Sequence, residues 1–295
     1  MQNELGLLGS EFGSADEVQR WAVRSVLAHG RSVSPRGRHT LEISPASFTL
    51  SRPRRRCIIQ SERKWSFALA LGEYLWHASA SDDASVLEYY ARPWASFAVE
   101  GRIRGSCYGK SIFSDQGSRP SQWRNVLAIL KEDPDSRRAV LDFRVTDERL
   151  TSDIPDVACV STLQLLVREN KLNAIAVMRS NDVIWGLPYD IFVLTMFQEM
   201  AAQELGLELG WYHHHAASLH IYDRHLDLAR NIADGDISGF HEMGVLGALG
   251  ELPTVIEQER RIRMGFPVST EGIRSSSWIE FLNVLSDFRS RRKAC

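Results

Sequence analysis

The sequence predicts an α/β fold in which helices pack on one large mixed sheet. Two extended segments, residues 158–167 and 172–179, are separated by a short polar turn and are typical of a β-hairpin. The apolar run 191–205 that follows is too long for a strand and stops at Gly206, which indicates a buried helix. We find no internal repeat, low-complexity tract or linker, so residues 1–295 are predicted to form a single domain.

The other elements follow from capping signals and hydrophobic spacing. Ser14 and Glu17 form a capping-box pattern at the start of a helix that stops at Gly30. An exposed-looking loop with two arginines, residues 32–40, comes next. Further helices are predicted at residues 66–77, 84–90, 122–132 and 277–288, with another starting at residue 219, and further strands at residues 41–43, 47–50, 139–143 and 208–218.

The charge balance limits the possible partners. Lysine and arginine number 35 against 37 acidic residues, which gives a formal net charge of -2. General nucleic-acid binding relies on a basic surface, so the composition argues against it. No apolar run is long enough to span a bilayer, and residues 1–14 lack a basic start followed by an apolar core. We therefore expect a soluble, unprocessed protein with no membrane partner.

The cysteines indicate a reducing compartment. Four of them, Cys57, Cys107, Cys159 and Cys295, are widely scattered and include no Cys-x-x-Cys pair. Such spacing does not suit a disulfide framework, so we expect reduced thiols and a cytoplasmic location.

Residues 179–190, with the lone Cys159 one hairpin upstream, have the side chains of a site for a small anionic heterocycle. Arg179 and Ser180 can hold a phosphate. The carboxylate of Asp190 can accept hydrogen bonds from amino and imino groups, and the Cys159 thiol can attack an electrophilic carbon. Spacing alone leaves an alternative open, in which this segment is a strand, a turn and a helix with solvated polar residues.

Two further polar features have both a functional and a structural interpretation. Glu73 lies in an apolar helix, where a carboxylate is costly unless it has a partner or a task; a wet edge of the helix is the alternative. His213, His214 and His215 follow one another in a strand, so the middle side chain points away from the other two. Because zinc needs convergent ligands, we predict no metal site.

Short motifs along the chain form an ordered set. They are Glu-x-Leu-Trp at residues 73–76, Tyr-Gly-Lys at 108–110, Asp-Pro-Asp-Ser-Arg-Arg at 133–138, Cys159, Arg-Ser-x-Asp at 179–182, Gly-Leu-Pro at 186–188 and His-x-Tyr at 220–222. Together they resemble the thymidylate synthase superfamily as far as about Asp227, with residues 228–295 as a diverged C-terminal region. The resemblance implies an α+β fold and a two-fold dimer through the sheet, with sites shared between subunits.

The resemblance also implies a role for each motif residue. Cys159 would add to C6 of a pyrimidine nucleotide, and 5,10-methylenetetrahydrofolate would be the co-substrate. Phosphate binding would fall to Arg179, Ser180, Arg36 or Arg38, and to Arg137 and Arg138 reaching the neighbouring subunit. The remaining roles would be sugar binding by His220 and Tyr222, nucleotide and folate contacts by Asp182, folate contacts by Trp94 and Glu73, and water and proton transfers by Glu73 and Tyr108.

Departures from the family pattern favour cytosine and hydroxymethylation. Asp190 stands where thymidylate synthases have an asparagine that pairs with uracil; an ionised carboxylate suits the amino group of cytosine with a protonated N3. Val160 and Met178 replace the family's histidine and glutamine beside the cysteine and the phosphate arginine. The family's apolar C-terminus, which closes over the folate, is here Arg-Arg-Lys-Ala-Cys. Hydride transfer needs a dry, closed site, so we expect water to give a hydroxymethyl product.

The sequence thus predicts a homodimeric CMP 5-hydroxymethylase of the kind found in nucleoside-antibiotic pathways. Small side chains at Ala174 and Ala176 could leave room for a 2'-hydroxyl, although paired alanines in a strand are more often packing residues, and dCMP remains the alternative substrate. Two more interpretations stay open. One is a C5-methylase of UMP or dUMP, and the second is a catalytically silent nucleotide- or RNA-binding relative that uses the arginines of residues 52–56.

Overall fold

The computed structural model describes residues 10–115, 117–144, 156–237 and 239–293, and therefore leaves out Cys295. Its strands are β1 (Ser10–Phe12), β2 (Arg31–Val33), β3 (Thr40–Ile43), β4 (Ala46–Leu50), β5 (Val140–Asp142), β6 (Val160–Arg168), β7 (Lys171–Met178), β8 (Asn181–Asp182), β9 (Glu208–Ala216) and β10 (Leu219–Tyr222). Its helices are α1 (Ala15–His29), α2 (Phe67–Ala78), α3 (Ala84–Tyr90), α4 (Tyr108–Phe113), α5 (Gln122–Glu132), α6 (Gly186–Leu205), α7 (Leu226–Asp234), α8 (Leu252–Arg263) and α9 (Ser276–Lys293).

These elements are grouped into two compact units. The first unit contains residues 1–65, 128–142 and 159–243, and the second contains residues 66–127, 143–158 and 244–295. A catalytic domain can contain more than one such unit, so the single domain expected from the sequence stays a prediction. None of the described helices has the length and apolar character needed to cross a membrane.

A mixed sheet of six strands is built from the described residues of the first unit, in the order β1-β4-β9-β7-β6-β5. β6 and β7 are antiparallel, and β7 and β9 are parallel. Between β6 and β7, Glu169 and Asn170 have positive φ angles of 54° and 58°. Two such residues form the tight turn that matches the twist of a hairpin. The predicted hairpin and the mixed α/β class are both confirmed.

Helix α6 packs on one face of this sheet, against β7 and β9. It is buried on nearly all sides, which explains its continuous apolar sequence, and it ends at Gly206 with a left-handed φ of 68°. The helix begins at Gly186, so the predicted start at residue 191 is wrong. Pro188 fits the first turn because its missing N–H would have no partner there. Asp190 consequently lies inside the second turn of α6.

A second sheet in the first unit has the order β2-β3-β10-β8 among the described strands. β10 pairs with β3 on one side and with β8 on the other. The helix predicted to start at residue 219 is therefore wrong, because backbone pairing on both sides makes this segment a strand. β2 likewise occupies the start of the region that the sequence indicated as a loop.

Helices make up most of the second unit. Ser66 caps α2 by accepting a hydrogen bond from the Leu69 N–H, 3.2 Å away. α8, which the sequence analysis missed, has Gln258 and Glu259 on its buried face, and the Tyr90 hydroxyl donates to Glu259 at 2.7 Å. Val255 and Ile262 lie on the same buried face, so apolar residues at helical spacing are present, but the two polar residues between them weaken the signal.

Three of the four arginines within residues 52–56 have structural roles within the first unit. Arg56 is fully buried and binds Glu199 of α6, which also accepts from Arg54 Nε at 2.7 Å. Arg55 pairs with Glu242 at 2.8 Å. Since these three side chains are held by carboxylates, they do not form an open basic surface, and the RNA-binding alternative loses its main support.

We expect Glu199→Ala to destabilise the protein strongly. The substitution removes the counter-charge of a fully buried guanidinium, which costs about 3–5 kcal/mol of unfolding free energy. Arg54→Ala removes a partly exposed partner of the same carboxylate and should cost less than about 1 kcal/mol. Urea denaturation of both variants tests this, and equal losses would contradict it.

Candidate active site

The pairing of β6 with β7 holds Cys159 beside Arg179. The Arg179 N–H donates to the Cys159 carbonyl at 2.9 Å, and the guanidinium Nη2 is 3.8 Å from Sγ. Both residues are exposed. A guanidinium at this distance stabilises a thiolate, which is the nucleophilic form of cysteine. The structure thus joins the predicted nucleophile and the predicted phosphate arginine in one place.

Val160 and Met178, which differ from the family pattern next to Cys159 and Arg179, form a pair. Val160 and Met178 are directly opposite each other in the hairpin, and both are buried. Side chains alternate along a strand, so they point away from the face that presents Cys159 and Arg179. Their apolar character is therefore explained by the core beneath the site.

Asp190 is held by a neighbouring amide. Asn181 Nδ2 donates to Asp190 Oδ2 at 2.6 Å, and Asn181 Oδ1 is 3.0 Å from His214 Nε2. His214 Nδ1 is in turn 2.8 Å from the Tyr212 hydroxyl. Asn181, Tyr212 and His214 are all buried, so the base-recognition residue of the sequence prediction is attached to the core of the first unit.

Burial also changes the charge expected for Asp190. It raises the pKa of the Asp190 carboxyl to about 7; the charge of Asp182 adds to the rise and the hydrogen bond from Asn181 opposes it. The sequence argument assumed an ionised carboxylate. At this pKa the neutral acid and the carboxylate are both populated near neutral pH, so charge alone does not exclude uracil.

Pairing of β8 with β10 sets Asp182 beside His220 in register. Asp182 Oδ1 accepts hydrogen bonds from the Ile184 and Trp185 N–H groups at 2.8 and 3.3 Å, which fixes the turn into α6. Burial lowers the pKa of His220, although the negative charges of Asp182 and Glu42 oppose this. The Tyr222 ring lies 5.1 Å from the His220 ring. Asp182, His220 and Tyr222, all predicted to contact the ligands, therefore lie close together in the first unit.

Sequence reasoning missed an aromatic surface next to Asp182. Trp185 is 48% exposed, and the Arg63 guanidinium lies 4.2 Å from its ring centre. Arg63 Nε donates to the Ile184 carbonyl at 2.6 Å. An exposed tryptophan inside an otherwise matching motif was the available signal, because a flat ring can stack on it.

Predicted residues of the second unit are placed on helices and turns. Glu73 is 9% exposed on α2, so it is buried rather than at a wet edge. Tyr108 starts α4 and stacks on His77 at 3.7 Å, and burial lowers the pKa of His77 well below its usual value. Trp94 lies in the turn Arg92–Phe97, 6.5 Å from the Trp76 ring. The catalytic and folate roles of these residues stay predictions.

The other four arginines predicted to bind phosphate are exposed, whereas Ser180 is half-buried. Arg36 and Arg38 lie between β2 and β3, and Arg137 and Arg138 immediately precede β5 at the edge of the six-stranded sheet. Their exposure leaves them accessible to an anion, and their binding role stays a prediction.

The histidine run alternates as predicted. His214 is buried, whereas His213 and His215 on the opposite face accept or donate hydrogen bonds with Thr49 and Ser47 at 2.9 and 2.8 Å. Among the residues that the structure describes, no three metal-ligating side chains converge on one point.

An exposed cysteine beside a guanidinium, immediately before β6, is the arrangement expected of an enzyme with a thiol nucleophile. The family model described as thymidylate synthase matches residues 20–240, well over half of the sequence, and the chain belongs to the thymidylate synthase family. Members of this family transfer one carbon from methylenetetrahydrofolate to a pyrimidine nucleotide.

Relatives include both methylating and hydroxymethylating enzymes. The deoxyuridylate hydroxymethyltransferase of Bacillus phage SP01 is 27% identical over 208 residues, which is 67% of this chain but only 54% of that protein. The thymidylate synthase of Bacillus licheniformis is 28% identical over 193 residues, 64% of this chain and 68% of that enzyme. The solved structure of thermostable thymidylate synthase A from Bacillus subtilis has a TM-score of 0.62 at 25% identity, covering 77% of this chain and 85% of that one.

We expect Cys159 to be alkylated by iodoacetamide at least roughly tenfold faster than the buried Cys57 and Cys107, because it is exposed and beside a cation. Arg179→Gln should slow that reaction at Cys159 and leave the other two unchanged. Peptide mapping by mass spectrometry separates the sites. Equal rates in the wild type and in Arg179→Gln would show that the guanidinium does not activate the thiol.

Proposed function

We propose that this protein is a folate-dependent hydroxymethylase of CMP. The reaction would consume CMP, 5,10-methylenetetrahydrofolate and water, and would give 5-hydroxymethyl-CMP and tetrahydrofolate. The observation that carries the proposal is Asp190, a carboxyl group held by Asn181 at the position where the family has a uracil-pairing asparagine. A carboxyl group can accept from the cytosine amino group, which an amide oriented for uracil does not do.

The chemistry requires covalent activation of the base. The Cys159 thiolate would add to C6, so that C5 gains electron density and bonds to the methylene carbon as the first of its two bonds to folate nitrogens breaks. Loss of the C5 proton would then break the second carbon–nitrogen bond, which releases tetrahydrofolate and leaves an exocyclic methylene on the base. Water would then add to the exocyclic methylene, and the C6–S bond would break. No hydride moves, so the folate leaves as tetrahydrofolate.

Ala174 and Ala176 do not indicate whether the substrate contains ribose or deoxyribose. Ala174 and Ala176 are fully buried on the face of β7 that packs against α6. They are packing residues, so dCMP stays the alternative substrate, and a direct competition between CMP and dCMP decides the sugar preference. CMP is our proposal on the overall likeness to the antibiotic-pathway hydroxymethylases.

A methylase of uracil nucleotides is the second candidate. Thymidylate synthases among the relatives favour it, and the neutral form of Asp190 is able to pair with uracil. The two candidates differ in their folate product, because methylation oxidises the folate to dihydrofolate and hydroxymethylation does not.

We expect tritium release from 5-tritiated CMP that depends on methylenetetrahydrofolate and produces no dihydrofolate absorbance. Cys159→Ala should lower the rate by at least roughly a thousandfold, since the nucleophile is lost. Cys107→Ala is the matched control, because Cys107 is a buried cysteine outside the proposed machinery. Stoichiometric dihydrofolate would replace this proposal with the methylase.

A homodimer is also part of the proposal. The sheet face opposite α6 is half-exposed and carries no formal charge in its centre: the side chains are Ser47, Thr49, Ile175, Val177, Trp211, His213 and His215. Its histidines are satisfied by the paired hydroxyls of β4. A broad, weakly polar face of this kind suits a second copy of the chain, with Arg137 and Arg138 at the sheet edge free to reach the partner's phosphate site.

Mixing two inactive variants tests the shared site. Cys159→Ser lacks the nucleophile, and the double variant Arg137→Ala/Arg138→Ala lacks the donated arginines. After unfolding and refolding together in equal amounts, half of the dimers should be mixed, and each mixed dimer should have one complete site, which gives about a quarter of the wild-type activity. Recovery of no activity would contradict sharing of these arginines.

A further inference from the structure

Three buried side chains form a directed chain of hydrogen bonds that ends on Asp190. We call Tyr212, His214 and Asn181 the donor chain. Its last link is the 2.6 Å hydrogen bond from Asn181 Nδ2 to Asp190 Oδ2. Asn181 is 1% exposed and His214 is fully buried, so solvent does not compete for the two hydrogen bonds of His214.

Each link fixes the direction of the next. Asn181 donates with Nδ2, so its Oδ1 must accept from His214, whose Nε2 therefore carries the proton. His214 Nδ1 is then an acceptor, and the Tyr212 hydroxyl donates a hydrogen bond to it at 2.8 Å. Burial lowers the pKa of His214 to about 3 and raises the pKa of Tyr212 well above its usual value. Both groups thus stay neutral across the working pH range.

Strand pairing holds the His214 ring in place. Phe48, its partner on β4, stacks on it with ring centres 4.8 Å apart and an interplanar angle of 13°. Ala176 is its partner on β7, where a larger side chain would take the space of the ring. The donor chain is therefore held rigidly, and the direction of each of its hydrogen bonds is fixed.

A neutral carboxylic acid can pair with either base, and the position of its proton decides which. Cytosine offers an acceptor at N3 and a donor at its amino group, whereas uracil offers a donor at N3 and an acceptor at O4. The acid matches cytosine when the oxygen facing N3 carries the proton. It matches uracil when the other oxygen carries it.

We propose that the donor chain makes the site selective for cytosine by keeping Oδ2 of Asp190 as an acceptor, which puts the acid proton on Oδ1. Oδ1 would then face N3, and Oδ2 would accept from the cytosine amino group as well as from Asn181. Asn181, His214 and Tyr212 are positioning residues in this scheme. The inference rests on the proposed action on CMP.

The scheme has a defined pH dependence. Pairing with cytosine needs one proton shared between Oδ1 and N3, so kcat/KM for CMP should fall as the pH rises through the pKa of Asp190, about 7 in the free protein. Asp182 on β8 and Tyr212 on β9 interact electrostatically with this carboxyl, and His214 is linked to it through Asn181; burial keeps both Tyr212 and His214 neutral at neutral pH. Because the Asn181 hydrogen bond lowers the pKa of Asp190, its removal should move the alkaline limb upward.

The test is Asn181→Leu, which keeps the size of the side chain and removes the donor. Tritium release from 5-tritiated CMP and UMP should show the CMP-to-UMP ratio of kcat/KM falling at least roughly tenfold, with the alkaline limb for CMP displaced to higher pH. Tyr212→Phe is the milder variant, since it removes only the hydroxyl at the start of the donor chain. It should lower the CMP-to-UMP ratio to a smaller extent, and it replaces Asn181→Leu if that variant does not fold.

Two further variants separate positioning from stability. Asn173→Leu also removes a buried asparagine of the six-stranded sheet, whose Oδ1 accepts from the Trp211 N–H at 3.0 Å, and it should leave the ratio and the pH profile unchanged. His214→Gln retains a donor toward Asn181 and should keep more selectivity than His214→Leu.

The outcomes separate the two proposals. A wild-type protein that releases no tritium from CMP overturns the proposed function itself. A wild-type protein that acts on CMP, together with Asn181→Leu and Tyr212→Phe variants that keep both the ratio and the alkaline limb, overturns only the role of the donor chain.

Discussion

The register of β7 between β6 and β9 is the constraint on which the rest of the site depends. On one side it sets Arg179 against Cys159, because the hairpin pairs Val160 with Met178. On the other side it sets Ala176 against His214, whose ring reaches Asn181. A shift of one residue would turn every side chain of β7 to the opposite face. The proposed nucleophile Cys159 and the proposed base-recognition residue Asp190 thus depend on one strand.

Much of this arrangement could be predicted from the sequence because it is encoded locally. The hairpin, the capping box at Ser14 and the helix stop at Gly206 each depend on a few adjacent residues. The strand β10 could not be predicted from the sequence, because this segment is a strand only through its pairing with β3 and β8. α8 was missed because polar residues interrupt the apolar positions of its buried face, and one of them, Glu259, is matched by Tyr90 from a distant part of the chain.

Most residues of the candidate site could be predicted from the sequence, but the hydrogen bonds that link them to the core could not. Arg179, Ser180, Asp182 and Asp190 were found because they stand in a recognisable order. Asn181 occupies the variable position of that motif, and His214 was considered only as a metal ligand. Their link spans 33 positions of the chain, from residue 181 to residue 214, and it exists only because β8, α6 and β9 come together. No pattern in the sequence reports such a contact.

The largest revision concerns what an aspartate at position 190 means. In water a carboxyl group is ionised at neutral pH, and exchange of the family's asparagine would then be a change of charge. In this protein burial raises the pKa of Asp190 to about 7, so the neutral acid is available. A neutral acid and an amide both offer one donor and one acceptor along the same edge. The exchange is then a change in where the proton sits, and under our proposal the groups that fix that proton determine the base as much as the carboxyl group does.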